Sequence, residues 1–141
     1  MSVTEGRCLC GATTVAVEDL PGEISACHCA LCTRWGGGVQ MGIAVPEARV
    51  RLSGPVKRHR SSPIAERAWC DTCGSSVLLQ DHGSDVVELC PGLFENAGGA
   101  RLVRVVYADR HPEGFWLEGA HVRRVSRRDY EADNPHLNEE C

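Results

Sequence analysis

The sequence predicts an all-β domain. Three observations carry that expectation: short runs of Val, Leu and Thr, turn signals of Gly and Pro at close intervals, and almost no apolar spacing of helical period. A chain of 141 residues is the size of one domain with one core. Aromatic residues make up only 5%, so that core must be built from small aliphatic side chains and gains from a metal clamp.

Taken in order, residues 12–18 read as a strand rich in Val and Thr, and residues 20–23 as a turn. A short helical turn runs through Arg34 and Trp35 until Gly36, Gly37 and Gly38 end it. Residues 39–45 predict a strand, 46–48 a turn, and Val50 and Leu52 alternate in the next strand. Residues 56–60 form a basic strand through Lys57, Arg58, His59 and Arg60, broken at Ser61-Ser62-Pro63. Strands follow over 64–69, 77–79, 85–90 and 102–107, with loops over 92–99 and 108–114. Residues 115–117 and 122–125 finish the apolar pattern. Residues 1–126 read as the domain and 127–141 as a polar tail with a short helix near Asp129.

The net charge of −4 argues against a nucleic-acid partner. There is no basic, apolar leader and no membrane-length apolar run, so the expected compartment is the cytoplasm. Nine cysteines in a reducing compartment point to metal or catalysis rather than to disulfides.

Seven of those cysteines fall in three groups: Cys8 and Cys10, then Cys27, Cys29 and Cys32, then Cys70 and Cys73. Zinc suits thiolate ligands and takes four of them in a tetrahedron. Joining the two pairs closes a four-cysteine site, which would be structural because no ligand position stays open. If Cys8 and Cys10 lie on a strand, residues two apart aim their sulfurs to one side. The Cys70-Asp71-Thr72-Cys73-Gly74 run has the form of a zinc knuckle.

The triplet leaves one position on its metal. Three thiolates leave a zinc centre with a net charge of about −1, suited to holding a further thiolate rather than to activating water. The inferred substrate is a thiol. A protein ligand could close the site instead, and Cys90, Cys141, His28 and His59 are the candidates. His28 sits between two ligands and should point away from them, and Cys90 ends an apolar strand as a small hydrophobe would.

The motifs Gly6-Arg7-Cys8-Leu9-Cys10-Gly11, Cys27-His28-Cys29-Ala30-Leu31-Cys32 with Arg34, and Trp69-Cys70-Asp71-Thr72-Cys73-Gly74-Ser75 resemble the glutathione-dependent formaldehyde-activating enzyme family. Arg60-Ser61-Ser62 resembles the family's segment before the last cysteine pair. The resemblance covers residues 6–125. It implies an Mss4-like fold of short antiparallel sheets held by two Zn²⁺ per chain, structural at the pairs and catalytic at the triplet. It also implies a carbon–sulfur lyase that joins glutathione to formaldehyde. Glutathione carries two carboxylates, which makes Arg34, Arg58 and Arg60 candidate substrate contacts, with Ser61 and Ser62 as hydrogen-bond donors and Trp35 as a pocket wall or a core residue. The rival reading is a non-catalytic, zinc-stabilised interaction module.

Overall fold

The structure, a computed structural model, describes residues 2–137. Among them the chain forms eleven strands and two short α-helices, so the all-β expectation holds. It falls into two compact units. One runs up to Gly22 and resumes over Gly42–Arg101; the other comprises Glu23–Met41 and the chain from Leu102 onward. Among the described residues no helix is long and apolar enough to cross a membrane.

The first unit contains two sets of strands. In one, β1 (Val3–Arg7), β2 (Thr14–Glu18) and β5 (Val50–Ser53) pair antiparallel in the order β1-β2-β5. In the other, β4 (Gln40–Pro46), from Ile43 on, pairs with β9 (Val86–Leu89). It continues through β8 (Ser76–Asp81) and β7 (Ala65–Cys70) to β6 (Val56–Ser62) at its edge. Alternation decides which side chains face inward: Val15 and Val17 on β2, and Val87 and Leu89 on β9, are buried while their neighbours are not. On β8 three consecutive residues, Val77, Leu78 and Leu79, are buried, the pattern of a strand covered on both faces. Each such side chain contributes about 1.5–3 kcal/mol on burial.

β6 carries the basic run. Lys57 pairs with Asp71 at 3.5 Å and Arg58 with Glu66 at 2.8 Å, so its charges face solvent along an edge. Between β5 and β6 the chain turns at Gly54 (φ +105°). A Cβ there would overlap the Ala12 carbonyl oxygen and stand 2.9 Å from Thr13 Cα. Both the backbone angle and the space demand glycine. Gly54→Ala is therefore expected to cost about 3 kcal/mol or more, read as a fall in the urea midpoint. A midpoint equal to the parent's would show that this turn yields without cost.

The second unit is built on β3 (Glu23–Cys27), β10 (Arg101–Val106, from Leu102) and β11 (Arg123–Val125), in the order β11-β10-β3. β10 and β11 run parallel, which the expectation of purely antiparallel sheets did not include. Helix α1 (Ala30–Gly36) follows β3 and ends at Gly37 in the left-handed conformation. Helix α2 (Arg127–Asp133) follows β11, with Ser126 as its N-cap accepting from the Asp129 N–H at 3.1 Å. Two details of the sequence reading change here. Phe115 and Trp116, read as part of the apolar pattern, are 41% and 46% exposed, and Trp35 is 37% exposed, which rules out a core role.

Candidate metal centres

In the first unit, Cys8, Cys10, Cys70 and Cys73 bring all four sulfurs within 4.8 Å of one another. A tetrahedral zinc with bonds of about 2.3 Å sets its sulfurs about 3.8 Å apart. The observed separations of 3.6 Å for Cys8–Cys10 and 3.9 Å for Cys10–Cys70 bracket that value. They are far too long for a disulfide, and these cysteines are free thiols. The four residues therefore fit a closed metal site.

Turns converge these sulfurs rather than strand alternation. β1 ends at Arg7, and Cys8 to Gly11 form a turn closed by the Gly11 N–H on the Cys8 carbonyl at 3.2 Å, with Gly11 at φ +82°. This corrects the expectation of a Cys-x-Cys pair on a strand. The backbone N–H groups of Thr13 and Ala12 donate to the sulfurs of Cys8 and Cys10 at 3.3 and 3.4 Å. The second turn mirrors the first, with the Gly74 N–H on the Cys70 carbonyl at 2.8 Å. The Leu9 N–H donates to Ser75 Oγ at 3.0 Å and joins the two turns directly. Ser75 also stands 3.2 Å from the Cys73 sulfur. Its hydroxyl, followed by the backbone N–H groups of Ser75 and Cys10, pulls the Cys73 thiol down to about 5. Arg7 was missed by sequence reasoning: its guanidinium donates to the carbonyls of Cys8 and Leu9, both at 3.0 Å, and braces the first turn.

In the second unit, Cys27, Cys29 and Cys32 place their sulfurs within 4.8 Å of one another. Cys27 ends β3. Cys29 is the N-cap of α1, and its sulfur accepts from the Cys32 N–H at 3.3 Å. The Cys29 N–H in turn donates to the Cys27 sulfur at 3.4 Å. A negative sulfur at a helix start meets unsatisfied N–H groups, which favours the thiolate. Hydrogen bonds from Cys27, then Cys32, with backbone N–H groups added, draw the Cys29 thiol down to about 2. The same crowding drives Cys27 upward. The arrangement thus holds one thiolate readily and resists the next, a repulsion that a bound cation removes. Among the described residues no further Cys, His, Asp or Glu joins this group: His28, His59 and Cys90 stand outside both clusters, and Cys141 lies outside the described residues.

His28 points into a pocket of rings, with Phe115 at 5.7 Å and His111 at 6.4 Å between centroids. It is 3% exposed, and its Nδ1 has no hydrogen-bond partner among the described residues. Burial, then the charge of His111, lowers its basicity. The cluster beneath the triplet contains Val106 and Tyr107, with Leu31, Val125 and Tyr130 packed against it.

Of the residues expected to meet substrate, Arg58 pairs with Glu66 as described above, and the other four are placed as follows. Arg34 is exposed in the last turn of α1. Arg60 donates to the Pro63 carbonyl at 2.8 Å. Ser61 Oγ accepts from Arg67 at 3.2 Å, and buried Ser62 accepts from the Ile64 N–H at 3.2 Å. The latter three thus use their polar groups inside the β6–β7 hairpin.

Comparison with known proteins places the chain in a family and a fold. The profile of a family described as glutathione-dependent formaldehyde-activating enzyme matches residues 3–110. An uncharacterized lyase of Schizosaccharomyces pombe is 32% identical over 77 residues, spanning 53% of this chain and 56% of that protein. The chain thus matches little more than half the length of that relative. A crystal structure of a Rhodobacter sphaeroides protein superimposes with a TM-score of 0.57 at 21% identity, covering 70% of this chain and 99% of the other, and shares its fold.

Proposed function

The chain belongs to the glutathione-dependent formaldehyde-activating enzyme family, and from that premise we propose that it is a lyase-type enzyme adding a thiol to a small aldehyde. Glutathione and formaldehyde, the compounds in the family's description, are the proposed pair. One zinc is proposed at the four-cysteine cluster and a second at the triplet. The observation that supports this reading is the triplet itself: three converging sulfurs with no further ligand in the group among the described residues.

Cys27, Cys29 and Cys32 would hold the catalytic zinc. When bound, that metal holds an incoming thiol in its deprotonated form. The N–H groups of Cys29 and Cys32 stabilise the ligand sulfurs and fix their direction. The substrate sulfur supplies the electron pair of the new carbon–sulfur bond. The carbonyl π pair moves to oxygen, and a proton equivalent to the one lost by the thiol ends there. The sum is addition of a thiol across a carbonyl, with nothing oxidised or reduced. Bringing both reactants together supplies the rate gain. Arg34 is proposed to meet a glutathione carboxylate.

Binding of the thiol to such a centre releases a proton. Its affinity is expected to rise up to tenfold per pH unit below the thiol's ordinary pKa of about 8.5 and to level off above it. Titration calorimetry of glutathione in buffers of different ionisation heat reads that proton. Binding with no proton released would sink direct metal–sulfur contact. A protein that holds its zinc and binds no thiol would be the non-catalytic interaction module.

A further inference from the structure

The family match ends at residue 110, yet the chain beyond it reaches back to the triplet. Helix α2 presents Arg127, Tyr130 and Glu131, spaced i, i+3, i+4, on one face. Arg127 Nε holds both Glu131 carboxylate oxygens, at 3.1 and 3.0 Å. Glu131 Oε2 accepts from the Tyr107 hydroxyl at 3.2 Å. The Tyr130 ring meets the Tyr107 ring edge-on at 5.7 Å. A second attachment lies next to the first: Asp109, two residues after Tyr107, accepts from the Arg127 N–H at 2.7 Å.

Tyr107 is the link. It is buried in one cluster with Cys29 and Cys32. Its backbone lies in the left-handed region at φ 51°, ψ 40°, where a bulky residue is an outlier. Such a conformation persists only where surrounding contacts over-determine it, and it concentrates at functional sites. The Tyr107 side chain is held by Glu131, Tyr130 and the cysteine cluster, and its carbonyl accepts from the Arg110 N–H at 3.0 Å. Arg127 pairs with the Glu131 carboxylate and offsets its charge beside Tyr107.

We propose that α2 is a working part of the triplet centre, with Glu131 and Tyr107 as positioning residues: Glu131 fixes Tyr107, and Tyr107 fixes the backing of Cys29 and Cys32. This rests on the reading that the triplet binds metal, but not on its binding a thiol. Outer partners of metal ligands characteristically tune metal affinity by ten- to a hundred-fold.

The test uses the full chain with zinc at the four-cysteine cluster and cobalt at the triplet. Glu131→Ala is expected to weaken the triplet metal at least tenfold in chelator competition and to shift the cobalt absorption bands. Glu131→Gln, which keeps an acceptor for the tyrosine hydroxyl, should restore most of the affinity. Tyr107→Phe should follow Glu131→Ala. Zinc at the four-cysteine cluster should be unchanged in all three. Linkage requires the converse as well: in Cys29→Ser the α2 amides should exchange hydrogen faster than in the parent, a measurement that needs no α2 variant to fold. Parental cobalt bands and affinity in folded Glu131→Ala, or unchanged exchange of α2 in Cys29→Ser, would overturn the proposal. Loss of thiol binding with these couplings intact would instead overturn the lyase reading and leave this one standing.

Discussion

Cys73→Ser is expected to leave a chain that is insoluble or that melts roughly 20 °C or more below the parent. Cys73 is half-buried, so its replacement removes little packing. What it removes is one leg of a cluster that joins two turns about 60 residues apart, at Cys8/Cys10 and Cys70/Cys73. Structural zinc sites contribute on the order of 10 kcal/mol to folding, and whole domains are stable by about 5–15 kcal/mol. The joining hydrogen bond from the Leu9 N–H to Ser75 is worth only about 1 kcal/mol and cannot replace the metal. Thermal melting with zinc analysis on the same sample reads the outcome. A variant that melts within a few degrees of the parent would show that the cluster carries no structural metal.

The second expected result is the opposite pattern. Cys29→Ser should remain folded, lose the triplet metal and lose thiol binding by a hundredfold or more. Serine is among the preferred N-cap residues, so α1 keeps an acceptor for the Cys32 N–H that the cysteine sulfur now serves. The helix start is thereby controlled, and the loss falls on the metal. The three ligands lie within six residues of one another, so a metal there ties no distant ligands together and the loosening expected of α2 stays local. Zinc content should drop from two ions to one. Collapse as severe as that of Cys73→Ser would make the triplet a second structural clamp and favour the interaction module. A folded variant that binds glutathione normally would remove the triplet from the chemistry.

The cysteine clusters were legible because their signal is local. Cysteine is scarce outside them, and a two- or three-residue spacing is enough to bring sulfurs together. The strands were legible where one face is buried, as in β2 and β9. Strand β3 carries no expectation in the sequence, because its alternation runs straight into the cysteine triplet and holds one large aliphatic residue, Ile24. The Cys8–Cys10 pair was placed on a strand because both a strand and a turn can align residues two apart, and only the Gly11 conformation decides. Trp35 looked apolar enough for the core, but helix α1 is seven residues long and leaves it on the open side. Least legible was the link from Glu131 to Tyr107. It spans 24 residues and depends on a left-handed backbone at a tyrosine, which no residue preference foretells.

The basic edge strand β6 bears on how the protein behaves at high concentration. Its outer side pairs with no further strand among the described residues, at the end of the first unit's larger set of strands. A bare edge of that kind recruits identical chains and seeds fibrils. Lys57, Arg58 and Arg60 are exposed along it, the first two each paired with a carboxylate, and charged side chains on an edge blunt its pairing with a second chain. A charged edge of this kind disfavours edge-to-edge association of copies, without any gain in the stability of a single chain.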